Sequence, residues 1–252
     1  MSKKTREERI KLKKARQQKL WKEPQPLKEN FSLRHIEPLT DSQCKVFDAY
    51  EKGKNLVLYG TAGTGKTFLS VYLALKEIYE TQKYDKVVIF RSAVPSRDAG
   101  FLPGNMKEKA AIYETPYHQI CATIYGRGDA YTILKNKGVI EFMTSSYVRG
   151  ITLDNAIIIV DEIQNFIDSE LNSVITRVGK GSKLILCGDF SQNDLKKEKT
   201  AFNSYIKIFK AMPSFNLVEF GISDVVRSGL VKEYILTRHK LEVQNSIPFL
   251  GD

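Results

Sequence analysis

Residues 60–67 read GTAGTGKT, and this short stretch decides the fold class. It matches the pattern G-x-x-x-x-G-K-T, in which glycines let the backbone wrap closely around a phosphate group. An apolar run at 56–59 precedes it as a candidate strand, and a helical pattern follows over 67–79. A chance glycine-rich turn is the alternative, but the strand, loop and helix in succession argue against it. The stretch therefore predicts a nucleotide-binding loop at the start of a helix.

Each residue of this loop has an expected role. Lys66 is expected to reach the β- and γ-phosphates, and the hydroxyl of Thr67 is expected to bind Mg²⁺. The residues expected to contact the nucleotide are Gly60, Thr61, Ala62, Gly63, Thr64, Gly65, Lys66 and Thr67.

Apolar runs alternate with helical patterns along the rest of the chain. Strands are predicted at 56–59, 86–90, 139–143, 156–160, 183–187 and 216–220. Helices are predicted after a capping box at 40–43, at 67–79, over most of 105–136 with breaks near Pro116 and 126–128, and at 168–178, 200–210 and 230–238. The first of these helices is expected to present Cys44, Phe47 and Tyr50 on one face. Strands separated by helices predict an α/β fold, with a mostly parallel sheet covered by helices on both faces.

Two acidic residues follow the most apolar predicted strand, 156–160. Asp161 and Glu162 would lie at the carboxyl edge of the sheet, where open α/β sheets bind ligands. Asp161 is expected to hold Mg²⁺, and Glu162 is suited to orient and deprotonate an attacking water. The alternative is an ordinary exposed turn. The interval between the two motifs leaves room for an extra strand, 139–143, between the two motif strands.

A third polar tract follows the strand at 183–187 and reads CGDFSQ over 187–192. If that strand neighbours the other two, Gln192 falls near the γ-phosphate and is expected to sense hydrolysis. A plain polar turn is the alternative.

The net charge of +10 is concentrated at one end of the chain. Residues 1–28 hold eleven Lys and Arg against three Glu, while the remainder is nearly neutral. We therefore divide the chain into a basic arm, 1–30, and one domain, 31–252; the arm is expected to bind polyanions such as nucleic acid. Three scattered cysteines and no long apolar run predict a cytoplasmic protein without a membrane span, in the host cytoplasm if the source is viral.

These motifs together resemble the PhoH-like family of phosphate-starvation-inducible ATPases, which are related to superfamily 1 helicases. The resemblance rests on PLTDSQ at 38–43, GTAGTGKT, FLPGNMKEK at 101–109, YVRGITLDNAIIIVDEIQN at 147–165, TRVGKGSKLILCGDFSQNDL at 176–195 and DVVRSGLV at 224–231. It implies a RecA-like P-loop core that binds ATP and Mg²⁺, and the short form resembles those carried by bacteriophages.

The resemblance also implies roles for further residues. Gln43 matches the position where helicase relatives read adenine, although it is equally suited to a capping role. Arg227 matches an arginine that stabilises the γ-phosphate in the transition state, with a surface arginine as the alternative. Arg177 is a weaker candidate for the same role, and Arg149 is a candidate for contact with phosphate or nucleic acid.

These expectations favour a Mg²⁺-dependent ATPase coupled to RNA or single-stranded DNA, with helicase or translocase activity. Helicase relatives use two ATPase-like domains, and this chain shows one, so we expect a homo-oligomeric ring, a hexamer, with Arg227 acting on the neighbour's site. Candidate nucleic-acid contacts are 91–109, 127–137 and the arm. The alternatives are a solvated loop for 91–109, an ordinary charged surface for 127–137, which is the favoured interpretation there, and a solubilising tail for the arm. For the protein as a whole, the alternatives are a nucleic-acid-binding protein that uses ATP as a clamp with little turnover, and a kinase, for which no acceptor site is evident.

Overall fold

The computed structural model describes residues 31–92, 106–144, 150–189 and 196–245. The strands are β1 (Asn55–Gly60), β2 (Lys86–Arg91), β3 (Ile140–Thr144), β4 (Ala156–Asp161), β5 (Lys183–Gly188) and β6 (Phe215–Phe220). The helices are α1 (Asp41–Glu51), α2 (Lys66–Thr81), α3 (Met106–Tyr125), α4 (Ala130–Asn136), α5 (Asp168–Ile175), α6 (Lys196–Ala211) and α7 (Gly229–Asn245), with 3₁₀ turns at Ile163–Asn165 and Ile222–Asp224. The alternation confirms the predicted α/β class.

The six strands form one sheet in the order β3-β2-β4-β5-β1-β6. β1 pairs in parallel with β5 and β6, and β2 pairs in parallel with β3. Every residue of β4 and β5 is buried, as expected for central strands of a covered parallel sheet. The predicted strand at 139–143 exists as β3, but it lies at an edge of the sheet. The strand that separates β4 from β1 in the sheet is β5.

Contacts divide the described residues into two compact units. The first comprises 31–35, 74–92, 106–144, 150–159 and 166–183, and its core includes the fully buried Tyr117, Tyr131 and Phe90. The second comprises 36–73, 160–165, 184–189 and 196–245, with Leu56, Leu58 and Phe220 in its core.

Three predictions about helices are corrected. The buried face of α1 runs through Val46, Ala49 and Tyr50, which are three and four residues apart, whereas Cys44 is exposed because it falls outside this face. Helix α3 continues through Pro116, since burial of its later apolar residues outweighs the lost backbone hydrogen bond. Helix α5 ends at Ile175 rather than 178, because Leu153 pairs with the backbone that follows it.

Candidate functional site

The loop between β1 and α2 has the backbone geometry that its glycines permit. Gly60, Gly63 and Gly65 have φ values of +115°, +75° and +88°, a region that other residues rarely enter. A side chain at Gly60 would also overlap the carbonyl oxygen of Phe220, the residue that ends β6. The same carbonyl accepts a 2.9 Å hydrogen bond from the N–H of Thr61. The loop is therefore shaped by its own glycines and by the end of β6.

Lys66 begins α2 and turns back over the loop. Its Nζ donates to the carbonyl oxygens of Gly60 at 2.9 Å and Thr61 at 2.6 Å. Burial lowers the pKa of Lys66, while four nearby acidic groups act in the opposite direction. Those groups are Asp189, Cys187, Glu162 and Asp161. Lys66 is thus a buried amine whose hydrogen bonds in this structure go to oxygens of the loop itself.

The two predicted magnesium ligands meet directly. The Thr67 hydroxyl donates to Oδ1 of Asp161 over 2.7 Å, and Asp161 is only 3% exposed at the end of β4. Both groups are oxygen donors, the ligand type that Mg²⁺ prefers. Among the residues described, no three His, Cys, Asp or Glu side chains cluster in a way that could hold a metal ion. Thr67 and Asp161 therefore fit an ion that takes its other ligands from phosphate and water.

Glu162 follows Asp161 in an unusual backbone conformation. Its φ is +56°, in the left-handed region that costs a residue with a Cβ about 1–2 kcal/mol. Its carboxylate accepts a hydrogen bond from Nε2 of Gln164, and Oε1 of Gln164 accepts one from the N–H of Asp189 over 3.0 Å. Sequence reasoning gave no role to Gln164 or Asp189. The available signal was their position, two residues after the Asp-Glu pair and directly after β5.

Gln43 is hydrogen-bonded to the nucleotide-binding loop 60–67, here called the phosphate loop. Its Nε2 donates to the carbonyl of Thr64 over 3.0 Å, and its Oε1 accepts from the N–H of Leu39 over 2.7 Å. The side chain of Thr40 accepts from the N–H of Gln43, so one half of the predicted capping box is present. The other half is absent because the Gln43 side chain bonds Leu39 instead of Thr40. Gln43 thus joins the start of α1 to the loop, and its contact with adenine stays a prediction.

A second link to the loop comes from 221–227, a segment in which the sequence predicted a role only for Arg227. The N–H of Val226 donates to the carbonyl of Gly63 over 3.1 Å. Asp224, which is 6% exposed, accepts from Ser42 and from the N–H of Gly221, each over 2.9 Å. Burial alone would raise the pKa of Asp224, but its hydrogen bonds outweigh that effect and lower it.

The structure describes two of the three predicted arginines, Arg227 and Arg177. The side chain of Arg227 lies beside Gly63 in the loop of the same chain. A Cβ on Gly63 would be only 2.9 Å from the Arg227 Cγ. The action of Arg227 on a neighbour's nucleotide stays a prediction. Arg177 belongs to the other compact unit, and its buried Nε has no hydrogen-bond partner in the described part of the chain. Arg149 and Gln192 lie outside the described residues.

The predicted nucleic-acid contacts are only partly described. In 127–137, Arg127 pairs with Asp129 at 2.6 Å on the surface, whereas Lys135 pairs at 2.5 Å with Glu114, which is buried. In 91–109, the Arg91 guanidinium lies over the ring of Tyr113 at 5.9 Å. The basic arm and 93–105 lie outside the described residues. Within the described ranges, no helix is both long enough and apolar enough to cross a membrane.

Comparison with known proteins supplies the family. The family model for PhoH-like proteins matches residues 35–238. A PhoH-like protein of Bacillus subtilis is 37% identical over 178 residues, covering 70% of this chain and 55% of its own length. Protein PhoH of Escherichia coli K12 is 30% identical over 193 residues, covering 75% and 54%. This chain therefore spans a little over half the length of these relatives.

The fold has a wider likeness. The large terminase from a thermophilic bacteriophage aligns with a TM-score of 0.52 and 13% identity, covering 80% of this chain and 50% of the terminase. At that identity the likeness shows a shared α/β fold alone. With the loop, the Asp-Glu pair and the family match in agreement, this chain belongs to the PhoH-like family.

Proposed function

We propose that this protein hydrolyses ATP with the aid of Mg²⁺ and couples hydrolysis to the binding of RNA or single-stranded DNA. The observation that carries the proposal is the 2.7 Å hydrogen bond between Thr67 and Asp161, which directly follow Lys66 and precede Glu162 in the sequence, respectively. It joins the phosphate loop to the strand-end carboxylates in one site. A protein that only bound phosphate would need the loop but not the acidic pair.

Each residue has a part in the proposed reaction. Lys66 would exchange its bonds to Gly60 and Thr61 for oxygens of the β- and γ-phosphates. Thr67 and Asp161 would hold Mg²⁺, which would supply positive charge against the phosphates. Glu162 orients the attacking water and accepts its proton. In the proposed oligomer, Arg227 stabilises charge on the γ-phosphate held by the neighbouring subunit. Gln43 fixes the loop and contacts the adenine, and Gln192 senses hydrolysis.

Coupling to a nucleic acid is proposed from the basic arm and from 91–109. The arm carries eleven basic residues in 1–28, enough to make phosphate contacts independent of sequence.

We further propose that the protein forms a homo-oligomer, a hexameric ring. The exposed apolar side chains of α7 are the observation that supports this proposal. Leu230 and Tyr234 of α7 are 80% and 61% exposed, and α7 begins two residues after Arg227. A copy seated there would lie next to the nucleotide.

The Glu162→Gln variant tests the proposal against an ATP-dependent clamp with little turnover. General bases typically contribute 10²–10⁴-fold, so we expect phosphate release to fall at least about 100-fold while ATP remains bound. The measurement pairs a phosphate-release assay with the dissociation constant of a fluorescent ATP analogue. Equal and very slow release by wild type and variant would favour the clamp. Phosphate transfer to an added acceptor rather than water would instead favour a kinase.

A further inference from the structure

The amide of Gln164 bridges the Glu162 carboxylate and the backbone at the end of β5. Gln164 sits in the 3₁₀ turn that follows β4, and this turn is closed by a 2.9 Å bond from the N–H of Asn165 to the carbonyl of Glu162. Ile163, 5% exposed, anchors the turn in the core. Gln164 therefore projects from a fixed piece of backbone.

The two hydrogen bonds of Gln164 allow only one orientation of its amide. A carboxylate accepts and a backbone N–H donates, so Nε2 must face Glu162 and Oε1 must face Asp189. The opposite orientation would place oxygen against oxygen and hydrogen against hydrogen. Both bonds thus act together, and they restrict where the Glu162 carboxylate can lie.

The backbone of Glu162 adds to this restriction. A φ of +56° in a residue with a Cβ persists only where the surroundings hold it, and it sets the direction in which the side chain leaves β4. The left-handed backbone of Glu162 sets the direction of its side chain, and the hydrogen bond from the Gln164 amide holds the carboxylate at the end of that side chain.

We propose that Gln164 is a positioning residue: it holds the Glu162 carboxylate for attack by water and ties its placement to the backbone of Asp189. The inference rests on the proposed function, in which Glu162 is the base. The backbone of Asp189, directly after β5, is then connected to the base through the two hydrogen bonds of Gln164.

Two substitutions separate this role from a merely structural one. Gln164→Met removes both hydrogen bonds at similar volume, whereas Gln164→Glu keeps an acceptor for the Asp189 N–H but loses the donor to Glu162. We expect both to lower kcat by about 10- to 100-fold, the scale of small misplacements of a reacting group. KM for ATP and the dissociation constant of a fluorescent ATP analogue should stay within about threefold, because neither bond contacts the phosphate loop.

A double substitution supplies the second measurement. If Gln164 acts through Glu162, adding Gln164→Met to Glu162→Gln should change the residual rate by less than about twofold. Gln119→Met is the matched control, since Gln119 is an exposed glutamine on α3, and it should keep the wild-type kcat. Thermal unfolding of each variant shows that the comparison is made on folded protein.

The outcomes are distinct. Wild-type kcat in Gln164→Glu with loss in Gln164→Met would mean that Gln164 only anchors Asp189, and it would overturn the inference. A full further drop in the double variant would overturn it as well. Absence of ATP turnover in the wild type would instead contradict the proposed function itself.

Discussion

Gly60 is the point at which the phosphate loop tolerates no side chain. Two effects coincide there: a φ of +115°, and the carbonyl oxygen of Phe220 lying where a Cβ would be. Gly53 has a φ of +72° but open space around it, and Gly128 has neither constraint. The chain thus offers a matched series in which conformation and crowding can be measured separately.

Replacing these three glycines by alanine should give graded losses of stability. Gly53→Ala is expected to lower the free energy of unfolding by about 1–2 kcal/mol through its backbone conformation. Gly60→Ala should lower it by more than about 2 kcal/mol, because overlap with β6 adds to the same cost. Gly128→Ala should change it by less than about 0.5 kcal/mol. Urea unfolding measures all three, and equal values for Gly60 and Gly53 would show that the Phe220 contact is unimportant.

At the scale of elements, the phosphate loop is held by two neighbours, the start of α1 and residues 221–227. Gln43 bonds Thr64, and Val226 bonds Gly63. Asp224 and Ser42 then join these two neighbours to each other. The loop therefore keeps its shape through contacts outside its own motif.

Removing the charge of Asp224 should loosen this arrangement. Hydrogen bonds to a charged group contribute about 1.5–3 kcal/mol, so Asp224→Asn should lower the free energy of unfolding by about 1–2 kcal/mol at pH 7. Because the folded pKa of Asp224 is lowered, its carboxylate stabilises the fold above its unfolded pKa of about 3.9, and that contribution is lost as pH falls through the folded value. The free energies of unfolding of the wild type and of Asp224→Asn should therefore differ by the full amount at pH 7 and converge only below about pH 4. A constant difference down to pH 3 would contradict the assignment.

The elements were predictable where a single local pattern decides them. All six strands appear at the expected places, because each is a short apolar run bounded by turn residues. The Asp161-Glu162 pair and the loop could be predicted for the same reason, since the residues within each motif are close in sequence. Gln164, Asp224 and Ser42 were not given roles, because their partners are set by the packing of separate elements. The continuation of α3 through Pro116 likewise depends on burial that no local pattern shows.

At the scale of the whole molecule, helix α7 is a long helix with almost no cover. Among its described side chains none is buried, and Leu230, Val231, Tyr234 and Leu241 are at least 49% exposed. A helix of this length usually depends on packing of an apolar face for its stability. The proposed assembly would supply that packing with a second copy of the chain.

Polar substitution on α7 should weaken the proposed assembly. We expect Leu230→Ser with Tyr234→Ser to weaken association at least about 10-fold, since buried anchors of this kind contribute about 1–2 kcal/mol or more each. Ile208→Ser is the matched control: Ile208 is 52% exposed on α6, and its loss should leave the mass unchanged. Light scattering across a concentration series measures the mass. An unchanged oligomer in the double variant, or a wild-type monomer at every concentration, would contradict this interface.

We propose that ATP hydrolysis at Lys66, Thr67, Asp161 and Glu162 is coupled to a nucleic acid. The most direct measurement is phosphate release during titration with RNA, single-stranded DNA and duplex DNA, at low and high salt, for wild type and Glu162→Gln. We predict that RNA or single-stranded DNA stimulates the wild type, that higher salt weakens the stimulation because phosphate contacts release counterions, and that Glu162→Gln stays inactive. No stimulation of the wild type by any nucleic acid at either salt concentration would contradict the claim.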